Sequence, residues 1–182
     1  VSGILYVSSI TGCRSENIVP GREMDLSDDP MTTGRTIADW VVANRGDFQG
    51  PEGLPIYKPP YSRITAIDMN TGEHLWIVPN GDTPAQIRNH PALEGIDLPN
   101  TGVTSHAVTM VTETLLIAAE GSDGEPVLRA IDKRTGERLG TVQIPAPGQY
   151  GMMTYMHEGK QYIVVQIASQ THPGSLAALR LP

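Results

Sequence analysis

The chain is poor in cysteine and in positive charge, and it has no long apolar run. Its single cysteine, Cys13, cannot form an intramolecular disulfide, and no cysteine-based zinc site can be assembled around it. Cys13 therefore reads as a small packed residue. Lysine and arginine total 13 against 20 acidic residues, for a net charge of −7. The basic residues are scattered, whereas a phosphate-binding surface draws on clustered ones, so a nucleic-acid partner is not expected. No run of about 18 apolar residues occurs, so no helix is expected to span a membrane. No signal peptide is seen. The chain opens on Val1-Ser2-Gly3, directly before a strand-like run, as if cut from within a longer protein. The histidines His74, His106 and His157 show no metal-ligand spacing with one another. No C-x-x-C-H haem-attachment motif is present either.

What is abundant is punctuation. Nineteen glycines and 15 prolines in 182 residues predict many short elements joined by turns. Ile4 to Val7 is a short β-rich run. Residues 10–60 lack sustained periodicity and hold many Gly and Pro, which reads as a long insertion loop. Within it Thr36 to Asn44, capped from Thr33, fits a short helix or a strand. Trp40 in this stretch reads as an aromatic anchoring the insertion, or as a cap over a cofactor.

From residue 61 the pattern turns regular. Arg63 to Asp68 and Glu73 to Val78 flank a Gly-containing turn, which is hairpin chemistry. A second loop, residues 79–103, follows. Further strands are predicted over Ala107 to Val111, Thr114 to Ala119, Val127 to Asp132, Glu137 to Ile144, Met152 to Tyr155, Gln161 to Ala168 and Leu176 to Leu181. Tyr162 to Val165 is a continuous apolar run, typical of a strand buried on both faces. Met152, Met153 and Met156 read as gap-filling core residues.

One segment repeats. Ala66-Ile67-Asp68-Met69-Asn70-Thr71-Gly72-Glu73-His74-Leu75-Trp76 matches Ala130-Ile131-Asp132-Lys133-Arg134-Thr135-Gly136-Glu137-Arg138-Leu139-Gly140, with Ala, Ile, Asp, Thr, Gly, Glu and Leu at equal offsets. Each residue has a physical task. Asp68 can accept turn N–H bonds, Thr71 can add a hydroxyl bond, and Gly72 can supply a positive φ. Trp76 offers a large apolar face to a neighbouring sheet. Asp132, Thr135 and Gly136 repeat those tasks. Small sheets that cannot bury both faces alone, joined by docked rings, lead to a β-propeller.

This motif, AxDxxTGxxxW, resembles the tryptophan-docking motif of the pyrroloquinoline-quinone (PQQ) dependent dehydrogenases, which are eight-bladed propellers. The second copy departs from it, with Gly140 where the family has Trp, so docking should be weaker there. Lys58-Pro59-Pro60-Tyr61, and Gly151 to Tyr155 followed by Gly159 to Val165, resemble further family segments, although Met152 stands where proline is usual. Ala178 to Pro182 resembles the closing strand. Asn80 to Pro84 and Asn89 to Leu93 place the likeness nearest the glucose-dehydrogenase-like branch. The likeness covers nearly everything from residue 54 onward. It implies an all-β fold, a partial β-propeller of about three blades of four-stranded antiparallel sheets with long loop insertions, making residues 1–182 a C-terminal fragment.

The resemblance also implies PQQ on the propeller axis beside a Ca²⁺, with the catalytic Asp and the Ca²⁺ ligands on earlier blades. No residue here matches those motifs, so no catalytic residue and no metal ligand is assigned. Three positions are candidates for cofactor binding. Lys58 could pair with a carboxylate of the cofactor, against the alternative of a solvated lysine. Gly102 could allow close approach, against that of an ordinary turn glycine. His172 aligns with a Gly-Gly-His-Gly stretch at the family's active-site mouth, with Ser169 and Gln170 replacing the glycines. His90 reads as a loop residue. The implied partners are a sugar or alcohol substrate and a ubiquinone or cytochrome acceptor. The implied location is periplasmic, with membrane association through an absent N-terminal region. The competing reading is a cofactor-free propeller acting as a binding or assembly scaffold. The isolated fragment is expected to be inactive and not to bind PQQ usefully.

Overall fold

A computed structural model describes residues 3–21, 38–122 and 124–180. In chain order the strands are β1 (Ile4–Ile10), β2 (Arg14–Pro20), β3 (Trp40–Asp47), β4 (Ser62–Asp68), β5 (His74–Pro79), β6 (Val108–Val111), β7 (Leu115–Ala119), β8 (Val127–Asp132), β9 (Arg138–Gln143), β10 (Gly148–His157), β11 (Lys160–Ile167) and β12 (Ser175–Arg180). Among the described residues the one α-helical turn, α1, spans Ala85–Arg88. The chain divides into two compact units, Val1–Thr11 with Lys58–Pro182, and Gly12–Tyr57.

The larger unit holds three antiparallel sheets. Their orders are β1-β4-β5, β6-β7-β8-β9 and β10-β11-β12, so one sheet has four strands and two have three. All pairings are antiparallel; short connections join the paired strands except β1 and β4, between which β2 and β3 intervene in the chain. The four-stranded sheet lies between the other two, because β7 buries alternate residues in two different cores. Leu116 and Ala118 join Ile64, Ala107 and Ile131, with Tyr6, Trp76 and Val78 packed against them. Ile117 and Ala119 join Leu128, Ile144, Ala146, Val165 and Ile167. This is the stacking of propeller blades.

The doubly buried strand is therefore Leu115–Ala119, not Tyr162–Val165. In β11 Val165 and Ile167 are fully buried, while Tyr162, Ile163 and Val164 are only half-buried. The methionines divide for the same reason. Met152 packs against the second core, whereas Met153 and Met156 are 56% and 65% exposed. Alternation along β10 turns Met153 to the other face of the sheet, and Met156 lies near the strand end.

The smaller unit is a two-stranded ribbon, β2 against β3, from Arg14 opposite Asp47 to Pro20 opposite Trp40. Part of the stretch read as loop is thus paired strand, hidden by its polar composition. Of Thr36 to Asn44, Ala38 and Asp39 form a bend and Trp40 to Asn44 is strand; Thr33, Thr36 and Ile37 fall outside the described residues. Trp40 anchors little, being 64% exposed. Cys13 is exposed rather than packed, since it sits in the link between β1 and β2.

Candidate functional site

The two repeat copies fold alike. The Gly72 and Gly136 amides donate to the Asp68 and Asp132 carbonyls at 2.7 and 2.8 Å, and both glycines hold φ of 77°. Asp68 Oδ1 accepts from the Asn70 amide at 2.8 Å; Asp132 Oδ1 accepts from the Arg134 and Thr135 amides at 2.7 and 3.2 Å. Thr71 and Thr135 Oγ1 each accept an amide two residues on at 3.2 Å. These amides, Arg134's first, hold the Asp132 carboxyl below the usual carboxylate range.

Trp76 joins one blade to the next. Its Nε1–H donates to the Lys133 carbonyl at 3.1 Å, and Tyr6 Oη donates to that same oxygen at 2.9 Å. The two rings lie 5.7 Å apart. Burial, then the nearby Asp132 charge, push the Tyr6 hydroxyl pKa up. Gly136 receives the indole, and a Cβ there would lie 3.0 Å from two ring carbons.

At the opposite end of the strands lie Lys58, Gly102 and His172. Register fixes this: Ile10 and Pro79 flank Ser62 and Arg63 at the start of β4, Ala119 ends β7, and Ile167 faces Gly148 and Ser175. Lys58 is exposed ahead of β4, beyond the cis Pro59-Pro60 bond. The Tyr61 amide donates to the Thr101 carbonyl at 2.7 Å, tying that segment to the Gly102 loop. Gly102 is buried at φ 65°, and a Cβ would meet the Ser62 and Asn80 carbonyl oxygens at 2.5 and 3.0 Å. Its lack of a side chain thus serves the packing of its loop against the start of β4 and the Asn80 backbone. His172 is half-buried in the β11–β12 turn, with Nε2 3.1 Å from Ser175 Oγ. His90 caps a helical turn, its Nδ1 accepting from the Ala92 amide.

Beneath this end runs a polar network that the sequence reading missed. Asn80 Nδ2 donates to the Ser105 and Glu120 carbonyls, and the Ser62 and Ser105 hydroxyls donate to those same two oxygens. Glu120 is 1% exposed and pairs with Arg129. Asp82 bridges Arg129 at 3.3 Å and Arg138 at 3.0 Å. These bonds hold the loop that carries Gly102 onto β8 and β9, beside a cavity of about 220 Å³. The available signal was Arg129 itself, a charge inside the apolar run Val127 to Ile131. No group of three His, Cys, Asp or Glu side chains suited to a metal occurs among the described residues.

Residues 3–163 match the PQQ family described as glucose/ethanol/alcohol dehydrogenase, beta-propeller domain. The chain is 33% identical over 156 residues to a quinoprotein glucose dehydrogenase of Escherichia coli (strain K12), covering 80% of this chain and 19% of that protein. It is 34% identical over 128 residues to a quinate/shikimate dehydrogenase (quinone) of Acinetobacter baylyi, covering 67% and 15%. It thus spans less than a fifth of the length of the curated relatives it matches. The quinohemoprotein alcohol dehydrogenase of Comamonas testosteroni shares its fold, at TM-score 0.50 and 17% identity, over 98% of this chain and 24% of that one. Blade stacking, the docked indole and the match over most of its length agree that the chain belongs to the PQQ β-propeller dehydrogenase family.

Proposed function

We propose that this chain is one part of a PQQ-dependent dehydrogenase that oxidises a sugar or alcohol hydroxyl. The reading is carried by the relatives named above, whose names describe oxidation of glucose and of quinate or shikimate by quinone-linked enzymes. Electrons would pass to a membrane quinone or a cytochrome, on the periplasmic side.

PQQ, when bound, supplies the two-electron acceptor for hydride from the substrate carbon. The described residues fit one edge of such an anionic group. Lys58 offers an exposed ammonium for a carboxylate, and His172 offers a ring nitrogen at the same strand ends. Gly102 fits a positioning role better than a cradle, because carbonyl oxygens fill its Cβ space. Calcium does not fit the described residues, which gather no carboxylate cluster, so its ligands would be others.

Reconstitution of the full-length protein with PQQ and Ca²⁺, followed by dye reduction with glucose, quinate, glycerol and ethanol, tests the reading. PQQ-dependent turnover of at least one substrate is expected. Lys58→Ala should weaken PQQ affinity about tenfold, the worth of one charge-assisted bond. Absence of any PQQ-dependent turnover would favour the scaffold reading.

A further inference from the structure

The two repeat copies differ where it matters for packing. Ala66 pairs with Trp76 across β4 and β5, and Ala130 pairs with Gly140 across β8 and β9. In both hairpins the register then shifts by one residue, so position 140 occupies the place that Trp76 holds in the sheet before it. At the first junction the indole fills the space between sheets. At the second, a Cβ on Gly140 would meet nothing within 4 Å.

At this junction Gly140 lines a cleft of about 810 Å³. Its walls are Leu115, Ile117, Leu128 and Ala130 of the four-stranded sheet, facing Ile163 and Leu179 of the next. That volume lies within the roughly 300–1,000 Å³ of small-molecule sites. Apolar cavities in protein interiors can stay dry and take up a small aromatic molecule such as benzene. Thr112, Thr141 and Gln161 also line it, and their side-chain oxygens can accept a ring N–H. Its lining also has one acid, Glu113, and two bases, Arg180 and Arg129, the latter already paired with Glu120 and Asp82, so one charge of each sign is left and neither is favoured.

We propose that this cleft is a binding site for a small, neutral, planar aromatic ring of the indole class. The chain supplies its own precedent, since the equivalent junction seats the indole of Trp76. A flat ring fits because facing sheets stand about 10 Å apart, leaving a slot rather than a sphere. This site lies outside the strand ends that carry Lys58 and His172, so it does not depend on the proposed dehydrogenase activity.

Indole is titrated into the protein by calorimetry and by methyl NMR. One saturable site is expected, with the largest shifts on the methyls of Leu128, Ile163 and Leu179. Gly140→Trp should fill the cleft from within and weaken indole binding at least tenfold. Gly140→Ala should leave affinity within twofold, since its methyl meets open space. Binding undiminished in Gly140→Trp, no saturable binding at millimolar indole, or shifts on methyls elsewhere would each overturn the proposal. Should Gly140→Trp fail to fold, the methyl map of the unmodified protein decides alone.

Discussion

Gly72 and Gly136 occupy matching turns with the same φ of 77°, yet their surroundings differ. A side chain on Gly72 would meet nothing within 4 Å, whereas one on Gly136 would press on Trp76 and on Val78 Cγ1 at 2.9 Å. The left-handed conformation alone costs a non-glycine residue about 1–2 kcal/mol. Crowding a packed ring adds about 1–3 kcal/mol. Gly72→Ala should therefore cost only the conformational part, and Gly136→Ala both. Urea denaturation of the two variants measures this. Equal losses would show that the indole is not seated on Gly136. In a Trp76→Ala background the excess cost of Gly136→Ala should disappear, which a double-mutant cycle reads directly.

The β8–β9 turn is the element on which Trp76 and Tyr6 converge, both donating to the Lys133 carbonyl. Asp132 organises it by accepting the Arg134 and Thr135 amides. Those bonds lower its folded-state pKa below the ordinary 3.8. The stabilisation is fully present above that unfolded value and is lost as pH falls through the lower, folded one. Denaturation midpoints at neutral pH and near pH 3 should thus differ less in Asp132→Asn than in the unmodified chain. An unchanged pH dependence in the variant would remove Asp132 from the account. The turn was legible in the sequence because its bonds are local, between residues two to four apart. The clamp of Glu120, Arg129, Asp82 and Arg138 was not, because Asp82 lies 47 and 56 residues from the two arginines it bridges.

Across the larger unit, protection from solvent follows position in the stack. The four-stranded sheet is covered on both faces, and β7 places four buried residues in two cores. In β11 only one face is covered among the described residues. The smaller unit is a two-stranded ribbon, an arrangement of marginal stability in water. Hydrogen exchange should therefore be slowest at the amides of β7 and β8, faster in β11, and fastest in β2 and β3. Amides in β11 as slow as those in β7 would contradict the layered order.

The sequence by itself determined the hairpin, its repeat and the residue that docks, because turn bonds, a positive φ and a Trp on a returning strand are local demands. It also marked Gly140 as the copy without a ring. Only the tertiary structure decided which apolar strand is buried twice. Leu115–Ala119 and Tyr162–Val165 are both continuous apolar runs, and no local property separates them. The difference is the number of neighbouring sheets, which depends on how the blades stack. For the same reason, only the packed sheets showed that Gly102 abuts carbonyl oxygens, that Glu120 and Arg129 meet in the interior, and that Gly140 lines an open cleft.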